Sequence, residues 1–362
     1  MHPFTEQAPL VWPEPLPRPE DMTPRLMERL LAAGGRDVAI AALSCERVGT
    51  GQIGDTVRYR VDYRAGSGPA TIIGKFASAD ATSRAVATTW SLYEREVRFY
   101  RELAPHARLD TPVCHCAVLD ADGQFVLLLE DLSGARVGDQ FKGMEDADAH
   151  RAMRAAARLH AAFWECEGDP AMQWLDTEAG AQPFYAPGVF RDTWPRFRER
   201  YADHLDPRHL RVCDALCEGY EAYDRPRPGA RCVTHNDFRP DNMLVSPSRL
   251  TVVDWQSVAL GTGAVDVAYL IGGSYSPEAR REHEAALIAT YLAELREGGV
   301  TDLSRDAFDR EYRHFTFAGI NVAVGAAMLV KRTERGDRMF LTMLDRHVSH
   351  VIDTGALDLL AE

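Results

Sequence analysis

The sequence predicts an α+β fold in three parts: a proline-rich extension and helix over residues 1–34, a smaller sheet part over 35–130, and a larger, mainly helical part over 131–362. Three observations predict it. Val57, Tyr59, Val61 and Tyr63 alternate with Arg58, Arg60 and Asp62, the period of a half-buried strand. Between Ala85 and Leu103, Tyr93, Val97 and Tyr100 fall on one helical stripe and Leu92, Glu96, Phe99 and Leu103 on the next. Beyond Gly134 the period stays helical, as in Ala155, Leu159, Ala162 and Phe163 of the stretch Ala147 to Glu165. Together these give an antiparallel five-stranded sheet with one main helix, followed by a helical domain.

Taken in order, residues 1–24 hold seven of the 20 prolines, with Phe4 and Trp12 among them, and read as an extended segment laid over the surface. A helix follows over Pro24–Ala33, capped by Thr23, with Pro24 in its first turn and Gly34-Gly35 after its end. Gly49, Gly51 and Gly54 precede the alternating strand. A G-x-G-x-x-G followed by a strand reads either as a glycine flap over nucleotide phosphates or as a plain glycine-rich hairpin. Ala70 to Phe76 is the next strand and carries Lys75 as its one cation. Glu96 interrupts an apolar helix stripe, which makes it the best partner for that lysine. Strands over Val113–Leu119 and Phe125–Leu129 flank a turn at Asp120–Gly123, and the second runs into Glu130-Asp131-Leu132.

The helical part contains ten aromatics between Trp164 and Tyr223, where a substrate pocket or a packed core would use them. His160 reads as a hydrogen-bonded structural histidine. Asp266 opens a helix and either caps it or braces the loop before it, with bracing favoured. Pro277 starts another helix reaching Arg296, and Ala307 to Leu360 reads as two more.

The bulk numbers bound the function. A chain of 362 residues with 46% hydrophobic and 26% charged residues is that of an ordinary globular protein. Its net charge of −13 argues against nucleic acid or an anionic membrane as partner. No transmembrane run or signal peptide is visible, and seven scattered cysteines fit reduced thiols in a cytoplasm. Cys114-His115-Cys116 lacks a second ligand pair at a zinc-like spacing.

The densest chemistry lies between Cys232 and Gln256. Short β-branched runs, a polar loop His235-Asn236-Asp237-Phe238-Arg239-Pro240-Asp241-Asn242 and a Ser-Pro-Ser turn form a hairpin that delivers Asp254. Asp237, Asn242 and Asp254 place three oxygen-bearing side chains near one end of it. Such a set suits magnesium, which takes one or two carboxylates and shares substrate phosphates. An Asp, four residues, an Asn, then an Asp opening the next loop is the layout of a kinase catalytic loop and metal aspartate. In that layout Asp237 aligns and deprotonates an acceptor hydroxyl, Asn242 and Asp254 hold the metal, and Lys75 with Glu96 grips phosphates. A polar turn between strands is the alternative. Arg239 stands either near the γ-phosphate or simply at the surface.

The ordered pieces VTHNDFRPDNMLV, TVVDWQSVALGTGAVDVAYLIGG, REVRFYREL, LLLEDL and ARLHAAFWE make the chain resemble the aminoglycoside phosphotransferase-like kinases, especially the choline kinase-like and ecdysteroid kinase-like branch, over residues 35–345. The resemblance implies a two-lobed, protein-kinase-like fold, ATP and magnesium as cofactors, and adenine against the backbone of Glu130 to Leu132. It also implies Lys75 and Glu96 as the phosphate-gripping pair, Asp237 as base, and Asn242 and Asp254 as magnesium ligands. His235-Asn236-Asp237 departs from the commoner His-Gly-Asp, and Asp254-Trp255-Gln256 from Asp-Phe-Gly; neither loses a catalytic oxygen. The expected activity is phosphoryl transfer from ATP to a small-molecule alcohol, with an apolar, sterol-like or polyketide-like acceptor favoured. Aminoglycosides, choline-like amines and hydroxyacyl thioesters stay open as acceptors. A catalytically silent ATP-binding module and a protein kinase are the rival classes.

Overall fold

The computed structural model describes residues 11–49, 53–176, 188–225 and 229–361. It divides into two compact units: one runs through His106 and adds Asp110–Ala135 and Thr251–Ser257, the other holds Ala107–Leu109, Arg136–Leu250 and Val258 onward.

The first unit is built on β1 (Val11–Trp12), β2 (Ala39–Arg47), β3 (Gly54–Ala65), β4 (Thr71–Ala77), β5 (Cys114–Asp120) and β6 (Phe125–Glu130). They form one six-stranded sheet in the order β1-β5-β6-β4-β3-β2. Five strands pair antiparallel as expected, four of them at the places the sequence marks and β2 at one it does not, but the sixth corrects the expectation: β1 pairs parallel with β5, Val11 opposite Leu119. From Val11 onward the proline-rich segment therefore joins the sheet and contributes Trp12 and Met22 to its core instead of only lying over the surface. Trp12 and Met22 are buried with Val57, Tyr59, Ile72 and Phe76. Two hydrogen bonds secure it: Tyr59 Oη donates to Pro19 O at 2.8 Å, and Asp120 Oδ2 accepts from Leu16 N at 2.9 Å. Phe4 lies outside the described residues. Helix α1 (Pro24–Ala33) has the predicted bounds, with Thr23 Oγ1 accepting from Leu26 N at 3.2 Å. Its Met27, Leu30 and Leu31 close the same core.

The single long helix expected over Ala85–Leu103 is three pieces. Helix α2 (Ala81–Thr89) is capped by Asp80, Ser91 then turns left-handed at φ +52°, and α3 (Leu92–Arg98) passes into a π-turn over Phe99–Leu103. The left-handed residue breaks the i→i−4 ladder, which an apolar period running through it conceals. With α1 to α3, the unit has more than the one main helix predicted.

The second unit is mainly helical. Its strands are short: β7 (Arg136–Val137), β8 (Cys232–Thr234), β9 (Met243–Val245), β10 (Leu250–Val252), which carries the chain back into the first unit, and β11 (Ala259–Gly261). β8 pairs with β11, Thr234 opposite Ala259. Ser246 N donates to Arg249 O at 2.9 Å and closes the predicted hairpin turn. The helices are α4 (Asp146–Ala162), α5 (Val189–Arg200), α6 (Pro207–Glu218), α7 (Tyr220–Tyr223), α8 (Ala264–Ser274), α9 (Pro277–Glu297), α10 (Arg305–Phe315), α11 (Ala318–Leu329) and α12 (Glu334–Asp353). Three helices, not two, fill 305–353. Nearly all of α11 is buried, so it shows no amphipathic stripe, and the cap of α12 is Thr333, whose Oγ1 accepts from Gly336 N.

His347 of α12 packs against glycines; a Cβ on Gly272 or Gly319 would fall 2.5 or 2.1 Å from its ring. Burial, with help from the nearby His350 and Arg346, pushes its imidazole down to about 3. The group is neutral in the folded chain, while the unfolded chain takes the proton below its ordinary value. Its contribution is thus intact above about pH 6.5 and is lost as pH falls toward 3. Denaturant unfolding at pH 7.5 and pH 5 should show a loss of about 2 kcal/mol from this group, reduced in His347→Gln.

Candidate active site

The loop after β8 is held by a buried carboxylate. Asp266, in the first turn of α8 and 0% exposed, accepts from His235 N at 2.7 Å through Oδ2 and from Asn236 N at 2.8 Å through Oδ1. His160 Nε2 meets the same Oδ2 at 3.1 Å, and its Nδ1 meets Tyr291 Oη at 2.9 Å. Asp266 therefore braces the loop, and His160 is a structural support for the brace. Asn236 has φ +62°, the left-handed region that glycine and asparagine tolerate best. Its Nδ2 donates to Thr234 Oγ1 at 2.9 Å. That explains the departure from His-Gly-Asp: asparagine supplies the same backbone and anchors it. Asn236→Ala should cost about 1–2 kcal/mol of stability and Asn236→Gly less, measured by urea midpoints.

Asp237 emerges from this loop about one-fifth exposed and ringed by donors. Asn242 Nδ2 donates to its Oδ2 at 2.8 Å and to its backbone oxygen at 2.9 Å, and Tyr269 Oη donates to its Oδ1 at 3.2 Å. Arg239 Nε lies 3.0 Å from Oδ1. The guanidinium also donates to Gln140 Oε1 at 3.0 Å and Asp241 Oδ2 at 3.1 Å, and touches Met339 Sδ at 3.5 Å. Burial works against its charge, but Asp237, Tyr269 and Asp241 together hold its pKa above the ordinary arginine value. Arg239 is thus neither a free surface residue nor idle: it orients the Asp237 carboxylate. Sequence reasoning missed Gln140 and Met339, which no spacing ties to the loop. Tyr269 was readable, since it lies three residues after Asp266 on the same helix face.

In the first unit a second cluster forms around Lys75. Its Nζ donates to Glu96 Oε1 and Oε2 at 2.6 and 2.8 Å and to Asp254 Oδ1 at 3.0 Å. Strand β4 sets Lys75 on the sheet face opposite Ile72 and Phe76, toward α3, where Glu96 is 1% exposed. Burial opposes the ammonium charge, and Asp254 and Glu96 outweigh it, so the Lys75 pKa is raised. Asp254 has φ +68°, and the Trp255 ring after it stacks on Phe99 at 3.7 Å and 6°. The expected residues therefore form two groups. Lys75, Glu96 and Asp254 meet in one unit, and Asp237, Arg239 and Asn242 in the other.

For the remaining candidates the geometry is plainer. Gly49 has φ +77° and Gly54 begins β3, where a Cβ would lie 3.0 Å from Phe76 O; Gly51 lies outside the described residues. Glu130 ends β6 with its amide bonded to Val113 O at 2.8 Å, and Leu132 O accepts from Ala135 N at 2.8 Å. Between them Asp131 is held by Arg58 of β3 at 2.7 Å, a link the sequence did not reveal. Cys114, His115 and Cys116 do not converge as metal ligands; among the described residues the one His/Cys/Asp/Glu group close enough is Asp206, His209 and Asp345. Asp206 and His209 of that group form the capping box of α6. Phe190, Trp194, Phe197, Tyr201, Tyr220 and Tyr223 lie in the core of the second unit, so most of the aromatic-rich segment packs the fold rather than lining a pocket. Phe184 and Tyr185 lie outside the described residues.

A model of the family described as "Phosphotransferase enzyme family" matches residues 63–308. No curated protein matches the chain in sequence. Among solved structures it is similar to a microcompartment-associated aminopropanol kinase (17% identity, 92% of this chain and 99% of that one, TM-score 0.55). It is also similar to an ethanolamine kinase from Plasmodium vivax (10% identity, 84% and 82%, TM-score 0.50). These likenesses identify the fold. Among the described residues no helix is long and apolar enough to cross a membrane.

Proposed function

The chain belongs to the phosphotransferase enzyme family, and from that premise we propose that it transfers the γ-phosphoryl group of ATP to the hydroxyl of a small molecule. The observation that carries this reading is the carboxylate of Asp237, fixed by Asn242, Arg239 and Tyr269 on a backbone pinned by Asp266. In the reaction the acceptor oxygen forms a bond to the γ-phosphorus as the bond to the β–γ bridging oxygen breaks, leaving ADP. The transition state is loose, so alignment and charge neutralisation supply most of the rate. Asp237 aligns the hydroxyl and accepts its proton late.

Arg239 is a positioning residue that keeps the carboxylate aimed. Lys75, held by Glu96, has the position and charge to grip the α- and β-phosphates. Magnesium would be held by Asn242, through the amide oxygen left after Nδ2 bonds Asp237, and by Asp254, and would neutralise phosphate charge. Each donor by itself suits magnesium: a carboxylate in the first unit and an amide oxygen in the second. Gly49 and Gly54 would let the backbone approach phosphates, and the Glu130–Leu132 backbone would receive adenine. The aminopropanol kinase and the ethanolamine kinase that the chain resembles in fold are by name kinases of small amino alcohols. The apolar acceptor favoured from sequence draws no support from the aromatic segment, most of which packs the core of the second unit.

The test is a magnesium-dependent ATP-consumption screen over sterols, macrolides, aminoglycosides, choline, amino alcohols and hydroxyacyl thioesters. Turnover on one class supports the reading. Tight ATP binding with no turnover on any class would favour the catalytically silent alternative.

A further inference from the structure

Beside Asp237, within the second unit, stand donors that the kinase reading does not use. Gln140 is 2% exposed and lies on a turn closed by Gly143 N donating to Asp139 O at 2.9 Å. The turn is pinned. Arg346 donates to Gln140 O and Gly273 O, both at 2.6 Å, and to Phe141 O at 3.1 Å, which ties it to α8 and α12. Gln140 Oε1 accepts from Arg239 at 3.0 Å, and because a guanidinium only donates, the amide cannot be turned round. Its Nε2 therefore faces away from that bond, with two N–H groups that find no partner among the described residues. Gly273 lies beside it without a side chain, and even an added Cβ would stand 3.7 Å off. A buried amide is costly to leave with open donors, which marks a place where something accepts from it.

Helix α12 adds charge. Arg335 and Arg338 lie one turn apart, and their guanidinium carbons stand 5.2 and 5.7 Å from the centre of one ring, that of Phe141, the residue after Gln140. Both arginines are exposed. Arg335 and Met339 are four residues apart on one helix face, and Met339 Sδ touches Arg239 at 3.5 Å, so this face looks toward the Asp237 loop. Links of 3.0, 3.1 and 3.8 Å lead from Asp237 to Arg239, then to Asp241, then to Arg335. Like charges one turn apart repel, and their surroundings relieve little of it. The Arg338 guanidinium has no hydrogen bond and no ion pair among the described residues, not even with Glu334 four positions earlier. Asp241 approaches Arg335 only to 3.8 Å and is already bonded by Arg239, while Asp139 Oδ1 is taken by Phe141 N at 2.9 Å. The groups left open next to the candidate base are thus two guanidiniums and an amide, all donors.

A ligand that satisfies such a set is rich in acceptor oxygens and carries negative charge at one end. We propose that the acceptor is an alcohol bearing a carboxylate or phosphate group, with its hydroxyl at Asp237, its anionic group on Arg335 and Arg338, and an oxygen between them on Gln140 Nε2. The inference deepens the kinase reading and rests on it, since it takes Asp237 as the residue that receives the acceptor. Gln140, Arg335 and Arg338 determine specificity and take no part in the chemistry. They select hydroxy acids, phosphorylated alcohols and phosphate-bearing hydroxyacyl thioesters. Amino alcohols, choline and aminoglycosides are disfavoured, because the two arginines repel their ammonium groups.

The test is calorimetric binding to the full chain, without ATP or magnesium, of alcohols that differ in charge. The anionic probes are γ-hydroxybutyrate, glycerophosphate and hydroxybutyryl-coenzyme A; butanediol, glycerol and choline are their neutral and cationic counterparts. At least one anionic alcohol binds about tenfold or more tightly than the counterparts. Which one binds tells a carboxylate acceptor from a phosphate-bearing one. The double variant Arg335→Ala with Arg338→Ala loses that advantage and melts with the parent, because both side chains are exposed. Gln140→Glu keeps an oxygen toward Arg239, loses both N–H groups and weakens the same alcohol by about tenfold. Butyrate, which lacks the hydroxyl, binds more weakly than γ-hydroxybutyrate. The proposal is overturned if no anionic alcohol binds, if choline or a neutral alcohol binds as tightly, or if the double variant binds unchanged. An anion that binds equally well without its hydroxyl overturns it too. These are binding readouts, so the two readings fail separately. Binding of the anionic alcohol with no turnover in the ATP-consumption screen would sink the kinase reading. Turnover of a neutral or cationic alcohol would sink this inference alone.

Discussion

Asp237→Ala is expected to lower kcat by about 10²–10⁴-fold. The reason is geometric: the carboxylate is the group that Arg239, Asn242 and Tyr269 all point at, and no other carboxylate in the loop is held that way. Asp241, the nearest candidate for a substitute, is occupied by Arg239 at 3.1 Å, and burial pushes its carboxyl above the usual range against that arginine's pull. Because Asp237 lies outside the Lys75 cluster, ATP binding measured by calorimetry should be retained. Asp237→Asn separates the roles further: it preserves the shape and the bond from Tyr269 but cannot take a proton. Activity in Asp237→Asn near that of the parent would remove the base from the account, while lost ATP binding in Asp237→Ala would mean that the loop had collapsed.

The largest loss of stability is expected at Asp266→Ala, about 3–5 kcal/mol. One side chain satisfies two buried backbone amides and a buried histidine, at 2.7, 2.8 and 3.1 Å. Removing it strands all three donors in a dry interior. Asp266→Asn retains one acceptor oxygen and should lose less, because only one amide then faces an N–H. Urea unfolding gives the energies, and kcat measured well below the unfolding midpoint shows whether a folded chain with a slack loop still works. Equal stability of parent and Asp266→Ala would show that the loop holds its shape without the brace. His160→Ala should fall between the two aspartate variants, since it removes a support and leaves the amides bonded.

Most of the site was legible because its chemistry is local in sequence. His235 to Asn242 is one loop, so residue types and spacing alone placed Asp237 beside Asn242. The pairing of Lys75 with Glu96 was legible for a different reason: a lone cation on a strand and a lone acid on an apolar helix stripe each need the other. What stayed hidden depends on long-range placement. Gln140 reaches Arg239 from 99 positions away, and Met339 from 100. Arg239 itself carried two readings in sequence, a γ-phosphate contact or a surface residue, and its contacts with Asp237, Gln140 and Asp241 give it a setting that neither reading described.

In the fold, apolar runs located four of the strands, while β2 over Ala39–Arg47 was not placed, and the parallel pairing of Val11 with Leu119 could not be read from a two-residue strand in a proline-rich segment. Helix ends failed where they rest on backbone rather than pattern, as at Ser91. They succeeded at α1 because Thr23, Pro24 and Gly34 each act locally. The aromatic-rich segment shows the limit of composition. Aromatic rings suit a pocket and a core equally, and only burial assigns Trp194 and Phe197 to the core.

The account stands on Asp237 serving phosphoryl transfer to an alcohol. The direct measurement is phosphorus NMR of the chain with ATP, magnesium and each acceptor class in turn, beside the Asp237→Ala variant. The account predicts ADP and a new phosphomonoester resonance with one acceptor class, magnesium-dependent and absent from the variant. A phosphomonoester formed equally by the variant, or ATP hydrolysed to free phosphate with every acceptor untouched, would contradict it.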